Sequence, residues 1–547
     1  MDTKSYLQGI IPFKEEIPQE VRLLAPVHQN KILINGELIH WEGKAQTVYS
    51  PIPVRGQADY LSEKQPLVIG SYPIGTTKEA GLALDAALKA FDSGKGEWPS
   101  MSMKERIECL ENFTIRMISK RDAVIKLIMW EIAKTLTDAE KEFDRTVDYI
   151  KETIKAAQKL QTETSAFTLE QNFIGQTKKV PYGVVLCMGP FNYPLNETFT
   201  TLIPALIMGN VIMFKPPKQG TLLFEPLLDA FQKAFPKGVI NTVYGRGRDI
   251  IPGLMQSGKV DVLALIGSSK VADSLKKMHP KSNRLKSVLG LDAKNAAIIM
   301  SDADLDLTVS EAVAGALAFN GQRCTALKIF FVHKDIREEF IRHLRQEVNK
   351  LVIGLPWVKG VNITPLAEPD KPAYLLECIQ DAIKHGATVI NAQDGGGENY
   401  ESFLKPAIVF PVTKAMKLYH EEQFGPVLPI IEFTDIATPI DYVTNSPYGQ
   451  QVSIFSNDTQ AISTLIDGLT GQVGRININS QCQRGPDIFA FNGRKDSAEG
   501  TLSVDQALLA FSVDSVIAAK QTQQNGTLLN SIVDNHSSSR LESAQNF

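Results

Sequence analysis

The 547-residue sequence has no basic surplus: 57 Lys and Arg stand against 61 Asp and Glu, a formal net charge of −4. Without excess cations to replace phosphate counterions, nucleic-acid binding is not expected. Cysteine is sparse. Cys109, Cys187, Cys324, Cys378 and Cys482 are odd in number and widely scattered, which argues against a disulfide framework. No two have the spacing of a zinc knuckle or redox dithiol, so no metal site is expected. Long apolar runs are also lacking. The most apolar stretch, Thr198 to Phe214, is broken by Pro204 and Gly209-Asn210, which suits a buried core segment and not a membrane span. Met1 to Glu20 carries charges and two prolines where a secretory signal needs an apolar centre. The expectation is a protein of the reducing cytoplasm whose thiols stay free, most of them serving as small buried apolar residues.

What is present is an ordinary globular composition, 43% hydrophobic and 22% charged, with enough length for about three domains of ~150 residues. Residues 76 to 160 read as helices. Thr76 or Thr77 caps a run in which Ala80, Leu82, Leu84, Ala87, Leu88 and Phe91 recur at helical spacing, and Glu105 to Met117, Asp122 to Ala133 and Asp138 to Thr153 repeat the pattern. From about residue 180 short apolar runs alternate with helices. Gly183 to Met188, Val211 to Phe214, Val239 to Tyr244 and Val262 to Ile266 are the first such runs. A second region begins near Ala296 and continues through Ile329 to Val332, Leu428 to Phe433 and Val452 to Phe455. This alternation predicts an α/β protein with mostly parallel sheets covered by helices. Ligands in such sheets bind at the carboxyl ends of strands, here Gly189 to Tyr193, Lys215 to Lys218, Gly245 to Gly247 and Gly267 to Ser269.

Four segments recur in one order at wide separations: Phe191-Asn-Tyr-Pro194, Phe214-Lys-Pro-Pro217, Gly321-Gln-Arg-Cys-Thr325 and Glu421-Glu-Gln-Phe-Gly-Pro426. A cysteine beside an arginine says little alone, but the set resembles the aldehyde dehydrogenase superfamily over roughly residues 30 to 520. Tyr193, Arg323, Thr325 and Gln483-Arg-Gly-Pro-Asp487 narrow the resemblance to its non-phosphorylating glyceraldehyde-3-phosphate branch. The resemblance implies that Cys324 is the nucleophile and that hydride passes to a nicotinamide, leaving a thioester. A thiol of ordinary pKa ~8.5 needs local stabilisation to ionise at neutral pH. The oxyanion formed on attack would be received by the Asn192 amide and the cysteine's backbone N–H, one such donor being worth about 3–4 kcal/mol.

By the same resemblance, Lys215 holds the adenosine ribose, Ser268 the pyrophosphate, and Glu422 and Phe424 the nicotinamide ribose and ring. Gly245-Arg-Gly247 is a glycine pair without the third glycine of a dinucleotide fingerprint. Where NAD-using relatives carry a glutamate for the ribose 2′-OH, this chain has Lys218. An ammonium attracts a 2′-phosphate that a carboxylate repels, so NADP is expected, with NAD possible. Tyr193, Arg323, Thr325, Arg484 and Arg145 fall at substrate positions, and arginine suits a small phosphorylated aldehyde.

The pattern breaks at one place. Hydrolytic relatives carry Glu-Leu-Gly-Gly-Lys, whose glutamate activates water against the thioester. This chain reads Gly290-Leu-Asp-Ala-Lys294, and general-base assistance typically contributes 10²–10⁴-fold. Asp292 or Glu422 could substitute, coenzyme A could be the acyl acceptor, or the chain could be a weakened relative kept for binding. For Asp292 the competing reading is a turn carboxylate bonded to nearby backbone. The implied architecture is aldehyde-dehydrogenase-like. A Rossmann-type coenzyme domain spans 30–161 and 181–295, and an α/β catalytic domain spans 296–493. A small β oligomerisation arm of 162–180 and 494–520 would serve a homodimer or homotetramer, and 521–547 reads as a polar, mobile tail.

Overall fold

The structure is a computed structural model that describes residues 3–55, 66–538 and 540–541. Its helices start where the local chemistry provides partners for orphan N–H groups. Thr76 caps Thr77–Phe91, its side chain accepting from Lys78 N at 3.2 Å while Glu79 accepts from Thr76 N at 2.8 Å. Ser102 and Glu105 repeat this capping box on Met103–Ile118. Arg121–Ile132 and the long Leu136–Thr164 follow.

Five strands form the parallel part of one sheet, in the order Ile240–Thr242, Val211–Lys215, Val184–Met188, Val262–Ile266, Lys286–Gly290. Val184–Met188 is buried throughout, as a strand covered on both faces must be. The chain winds outward from it in both directions, so a crevice opens at the carboxyl ends beside it. A second sheet of seven strands has Asn295–Ile299 between Leu327–His333 and Gln451–Phe455, all parallel. Val427–Phe433 lies on the far side of Leu327–His333. These are the mostly parallel α/β sheets that the alternation of runs and helices predicted, in the Rossmann-type arrangement that the resemblance implied.

Two segments differ from expectation. Of 494–520, only Ser512–Lys520 joins the arm, pairing antiparallel with Phe173–Pro181, which also pairs with Thr168–Glu170. Arg494–Lys495 pairs with Tyr448–Gly449, and Ala498–Glu499 adds antiparallel to Leu289–Gly290. Residues 494–499 therefore pair once in a small two-stranded sheet with Tyr448–Gly449 and once on the edge of the first large sheet; two-residue strands carry no periodicity to betray them. The stretch 521–547, read as a mobile tail, contains a helix, Gln523–Asp534, capped by Thr522. Val533 and Leu541 are buried, and Arg540 donates to Gly94 O at 2.9 Å. Residues 542–547 of that stretch lie outside the described residues. Among the described residues, no helix is long and apolar enough to cross a membrane.

Candidate active site

The loop carrying Cys324 is entered through three consecutive residues with left-handed backbone, Phe319, Asn320 and Gly321. Such a conformation is costly for phenylalanine, and neighbouring bonds hold it. Asn320 Nδ2 donates to Thr364 O at 2.9 Å and Asn320 Oδ1 accepts from Thr364 N at 2.9 Å. Past the turn, the Cys324 carbonyl accepts from Asn295 Nδ2 and Lys328 Nζ, each at 2.8 Å. Cys324 itself is half-buried, and Thr325 is buried.

Asn192 reaches this loop from the end of Val184–Met188. Its Nδ2 donates to Gln322 O at 2.8 Å, which uses one of two amide hydrogens. A buried ion pair that the sequence did not reveal fixes the asparagine's backbone. Lys134 and Glu142, both fully buried, meet at 2.5 Å. Lys134 Nζ also donates to Asn192 O at 2.8 Å and lies 3.4 Å from the centre of the Tyr193 ring. Glu142 accepts from Leu195 N and Asn196 N at 3.0 and 3.2 Å. The Asn192–Asn196 turn is thus gripped at both ends by one pair of charges.

The third segment closes from the seven-stranded sheet, just ahead of Val427–Phe433. Glu422 faces Lys328 at 3.0 Å, and Gln423 Nε2 donates to Lys328 O at 2.9 Å while its Oε1 accepts from Lys294 Nζ at 2.6 Å. Phe424, at φ 47°, stands edge-on to Phe191 with centroids 5.8 Å apart. Asn192, Cys324, Glu422 and Phe424 therefore lie on neighbouring segments tied together through Gln322, Lys328 and Phe191. Burial dominates the electrostatics there. It lowers Lys294 to about 7, helped by nearby Lys328, and it raises Glu422 against the pull of Lys328.

The Cys324 thiol is pushed up to about 11, by burial first and then by the charge of Glu197. Lys328 and Arg484 oppose the shift, and Glu422 adds to it. The thiol is therefore protonated at neutral pH. The thiolate is the reactive form, so carbamidomethylation of Cys324 is expected to accelerate about tenfold per pH unit well beyond pH 8.5. Peptide mass spectrometry after timed iodoacetamide exposure measures this; a rate that levels off below pH 8.5 contradicts the electrostatic picture.

At the crevice, Gly245 has φ 126°, and a Cβ there would lie 2.6 Å from Gly75 O, so only glycine lets these backbones approach. Lys215 is lowered to about 8 by burial, and its Nζ donates to Pro216 O at 3.0 Å. Lys218 is exposed. The turn that follows it is anchored by buried Glu131, which accepts from Thr221 N and Leu222 N at 2.9 Å each. Ser268 caps Ser269–Met278. A bare backbone edge, helix starts and two lysines at strand ends suit a dinucleotide. Among the described residues, no group of three or more His, Cys, Asp or Glu could hold a metal ion.

Asp292 is engaged elsewhere than the thiol. Its Oδ2 accepts from both Ser269 N and Ser269 Oγ at 2.8 Å, the helix-capping contact that competes with a role as base. At Gly290 an added Cβ would lie 3.3 Å from Leu502 Cδ1 and 3.5 Å from Ile266, so a side chain there would need Leu502 to give by a few tenths of an ångström. The arginines also have partners. Arg145 makes two bonds to Asp487, at 2.8 and 3.2 Å. Arg484, buried, pairs with Glu197, donates to Leu502 O at 2.7 Å and lies 3.4 Å from Asp487. Arg323 donates to Gly315 O at 2.9 Å. Tyr193 lies under Lys134 and edge-on to Phe319. Sequence reasoning found the cations but not their pairing, because Glu197 lies far from Arg484 and Asp487 far from Arg145 along the chain, although Asp487 is only three residues from Arg484.

Residues 56–516 match the aldehyde dehydrogenase family. The chain is 31% identical over 499 residues to the NADP-dependent glyceraldehyde-3-phosphate dehydrogenase of Streptococcus equinus, covering 90% of this chain and 98% of that protein. It is 30% identical over 431 residues to the Pisum sativum protein of the same name, covering 77% and 84%. The crystal structure of the NADP-dependent glyceraldehyde-3-phosphate dehydrogenase from Bacillus halodurans C-125, complexed with NADP, superposes with a TM-score of 0.81 at 31% identity. That match covers 90% of this chain and 100% of that one.

Proposed function

The chain belongs to the aldehyde dehydrogenase family, and from that premise we propose that it oxidises D-glyceraldehyde 3-phosphate to 3-phosphoglycerate with NADP⁺ through a thioester on Cys324. The observation that supports the reading is the linkage of the Cys324 loop to Asn192 through Gln322 O, two residues before the cysteine, and to Glu422 through Lys328. The Cys324 sulfur attacks the aldehyde carbon, and the second hydrogen of the Asn192 amide receives the developing oxyanion. Such a donor acts best when it is fixed beforehand, and Lys134 and Glu142 fix it. NADP⁺, when bound, supplies the hydride acceptor. Lys215, Lys218, Ser268 and the Gly245 edge would hold it, with Glu422 and Phe424 at its reactive end. The substrate's phosphate would take Arg145 and Arg484 in exchange for Asp487 and Glu197, and Arg323, Tyr193 and Thr325 would border it.

A second reading has one specific observation in its favour. Gly290 stands where the resemblance places the glutamate base of hydrolytic relatives, and a Cβ there would press on Leu502 Cδ1 at 3.3 Å, so a long-lived thioester could pass to coenzyme A. Purified protein given the aldehyde and NADP⁺ separates the two. Steady turnover in water supports hydrolysis, whereas a stoichiometric burst of NADPH that stalls until coenzyme A is added supports acyl transfer. No burst from folded protein removes both.

The coenzyme preference has its own test. Lys218→Glu turns an attraction for the 2′-phosphate into a repulsion, and charge-assisted contacts are worth about 1.5–3 kcal/mol. The ratio of kcat/KM for NADP⁺ to that for NAD⁺ is expected to fall by about 10- to 100-fold. An unchanged ratio means that Lys218 faces only solvent.

A further inference from the structure

We propose that Lys328 is the positioning residue for the Cys324 backbone N–H, aiming it at the oxyanion that forms when the sulfur attacks an aldehyde. The proposal rests on the Cys324 chemistry set out above and begins from one buried ammonium. Lys328 is the second residue of Leu327–His333, and its side chain, 1% exposed, turns back toward the cysteine four residues earlier. An ammonium has three N–H donors. Lys328 Nζ donates to two backbone carbonyls, Arg323 O and Cys324 O, each at 2.8 Å. Its remaining side faces Glu422 Oε1 at 3.0 Å. Gln423 holds the root of the side chain, its Nε2 donating to Lys328 O at 2.9 Å.

Those two carbonyls belong to the peptide planes that flank the Cys324 Cα. A peptide unit is planar and trans, so its C=O and N–H point opposite ways. Fixing Arg323 O therefore fixes the direction of the Cys324 N–H. Arg323 O also accepts from Ala326 N at 3.1 Å, and Cys324 O from Asn295 Nδ2 at 2.8 Å, so both lone pairs of each oxygen are engaged. Among the described residues, nothing accepts from the Cys324 N–H itself. A cation on the carbonyl polarises the same amide and strengthens its N–H as a donor. Once the thiol has given its proton to solvent, the sulfur bonds to the aldehyde carbon and the carbonyl π pair moves onto oxygen. That oxygen takes one N–H from Asn192 and one from Cys324. Lys134 and Glu142 prepare the first donor, and Lys328 prepares the second.

The test is Lys328→Met, which nearly keeps the length of the side chain and removes its donors. At saturating NADP⁺ and aldehyde the NADPH burst is expected to slow about 10²-fold, the lower end of the loss of an oxyanion donor, because the Ala326 bond to Arg323 O remains. Alkylation of Cys324 by iodoacetamide makes no oxyanion and should slow far less. Lys328→Arg keeps the charge and the donors and should recover part of the burst rate. A Lys328→Met burst at the wild-type rate once coenzyme saturates overturns the proposal, confining Lys328 to the support of Glu422. So does alkylation slowed in the same proportion as the burst, which places the effect on ionisation of the thiol, where Lys328 also acts. Should Lys328→Met not fold, Lys328→Met/Glu422→Gln is compared with Glu422→Gln, neither of which buries an unpaired carboxylate at this place, and is read the same way. A wild-type protein without any burst would instead defeat the thioester reading itself and the proposal with it, so the two failures are distinct.

Discussion

Cys324→Ser is expected to eliminate the burst of NADPH and to lower turnover on the order of 10⁶-fold, the scale seen when an enzyme's nucleophile is removed. The size of the effect follows from the surroundings of the sulfur. Burial and two carboxylates already hold the thiol at about 11, and a hydroxyl, less acidic still, has no means of ionising there. Serine is nearly the shape of cysteine, and the carbonyl of residue 324 keeps its bonds from Asn295 and Lys328. The fold and the crevice should therefore survive, which coenzyme titration can verify. Single-turnover mixing with the aldehyde and NADP⁺ is the decisive measurement; a burst of wild-type amplitude in the serine variant would remove Cys324 from the chemistry.

How far the molecule could be read in advance depended on whether a feature was local. Val262–Ile266 appears in the structure with the bounds of its apolar run, and Thr76 caps the helix that its spacing implied. Both signals are written within a few residues. The residues read as Asn192, Cys324, Glu422 and Phe424 of one site do converge, because the motifs that marked them are short and separately recognisable. The electrostatic frame was not readable in this way. Lys134 sits in the short link between Arg121–Ile132 and Leu136–Thr164 and Glu142 on the amphipathic helix Leu136–Thr164, and the packing of that helix on Asn196–Ile207 puts this pair inside. Arg484 was visible as a cation, but its meaning changed once Glu197 stood against it. Asp292 was visible as a carboxylate near the expected base, yet the backbone of Ser269 claims it. A charge announces itself in sequence; its partner is a property of the fold.

The buried pair leads to the second large effect. Lys134→Met is expected to destabilise the protein by about 3–5 kcal/mol, the usual cost of leaving one member of a buried ion pair without its partner. Glu142 would keep its bonds from Leu195 N and Asn196 N but lose the cation 2.5 Å away in a fully buried setting. The same substitution removes the donor to Asn192 O and the cation over the Tyr193 ring. The backbone of Asn192 would then lose this anchor, leaving its amide held only through Gln322 O, and the burst rate should fall toward the 10²–10³-fold loss of an oxyanion donor. Stability and catalysis can be separated with Lys134→Met/Glu142→Leu. Replacing both charges with apolar groups often restores stability, but it leaves Leu195 N, Asn196 N and Asn192 O without these partners, so the burst should stay slow. Denaturant unfolding and stopped-flow NADPH formation on both variants measure the two effects. If Lys134→Met unfolds at the wild-type midpoint and reacts at the wild-type rate, the pair does not position the asparagine.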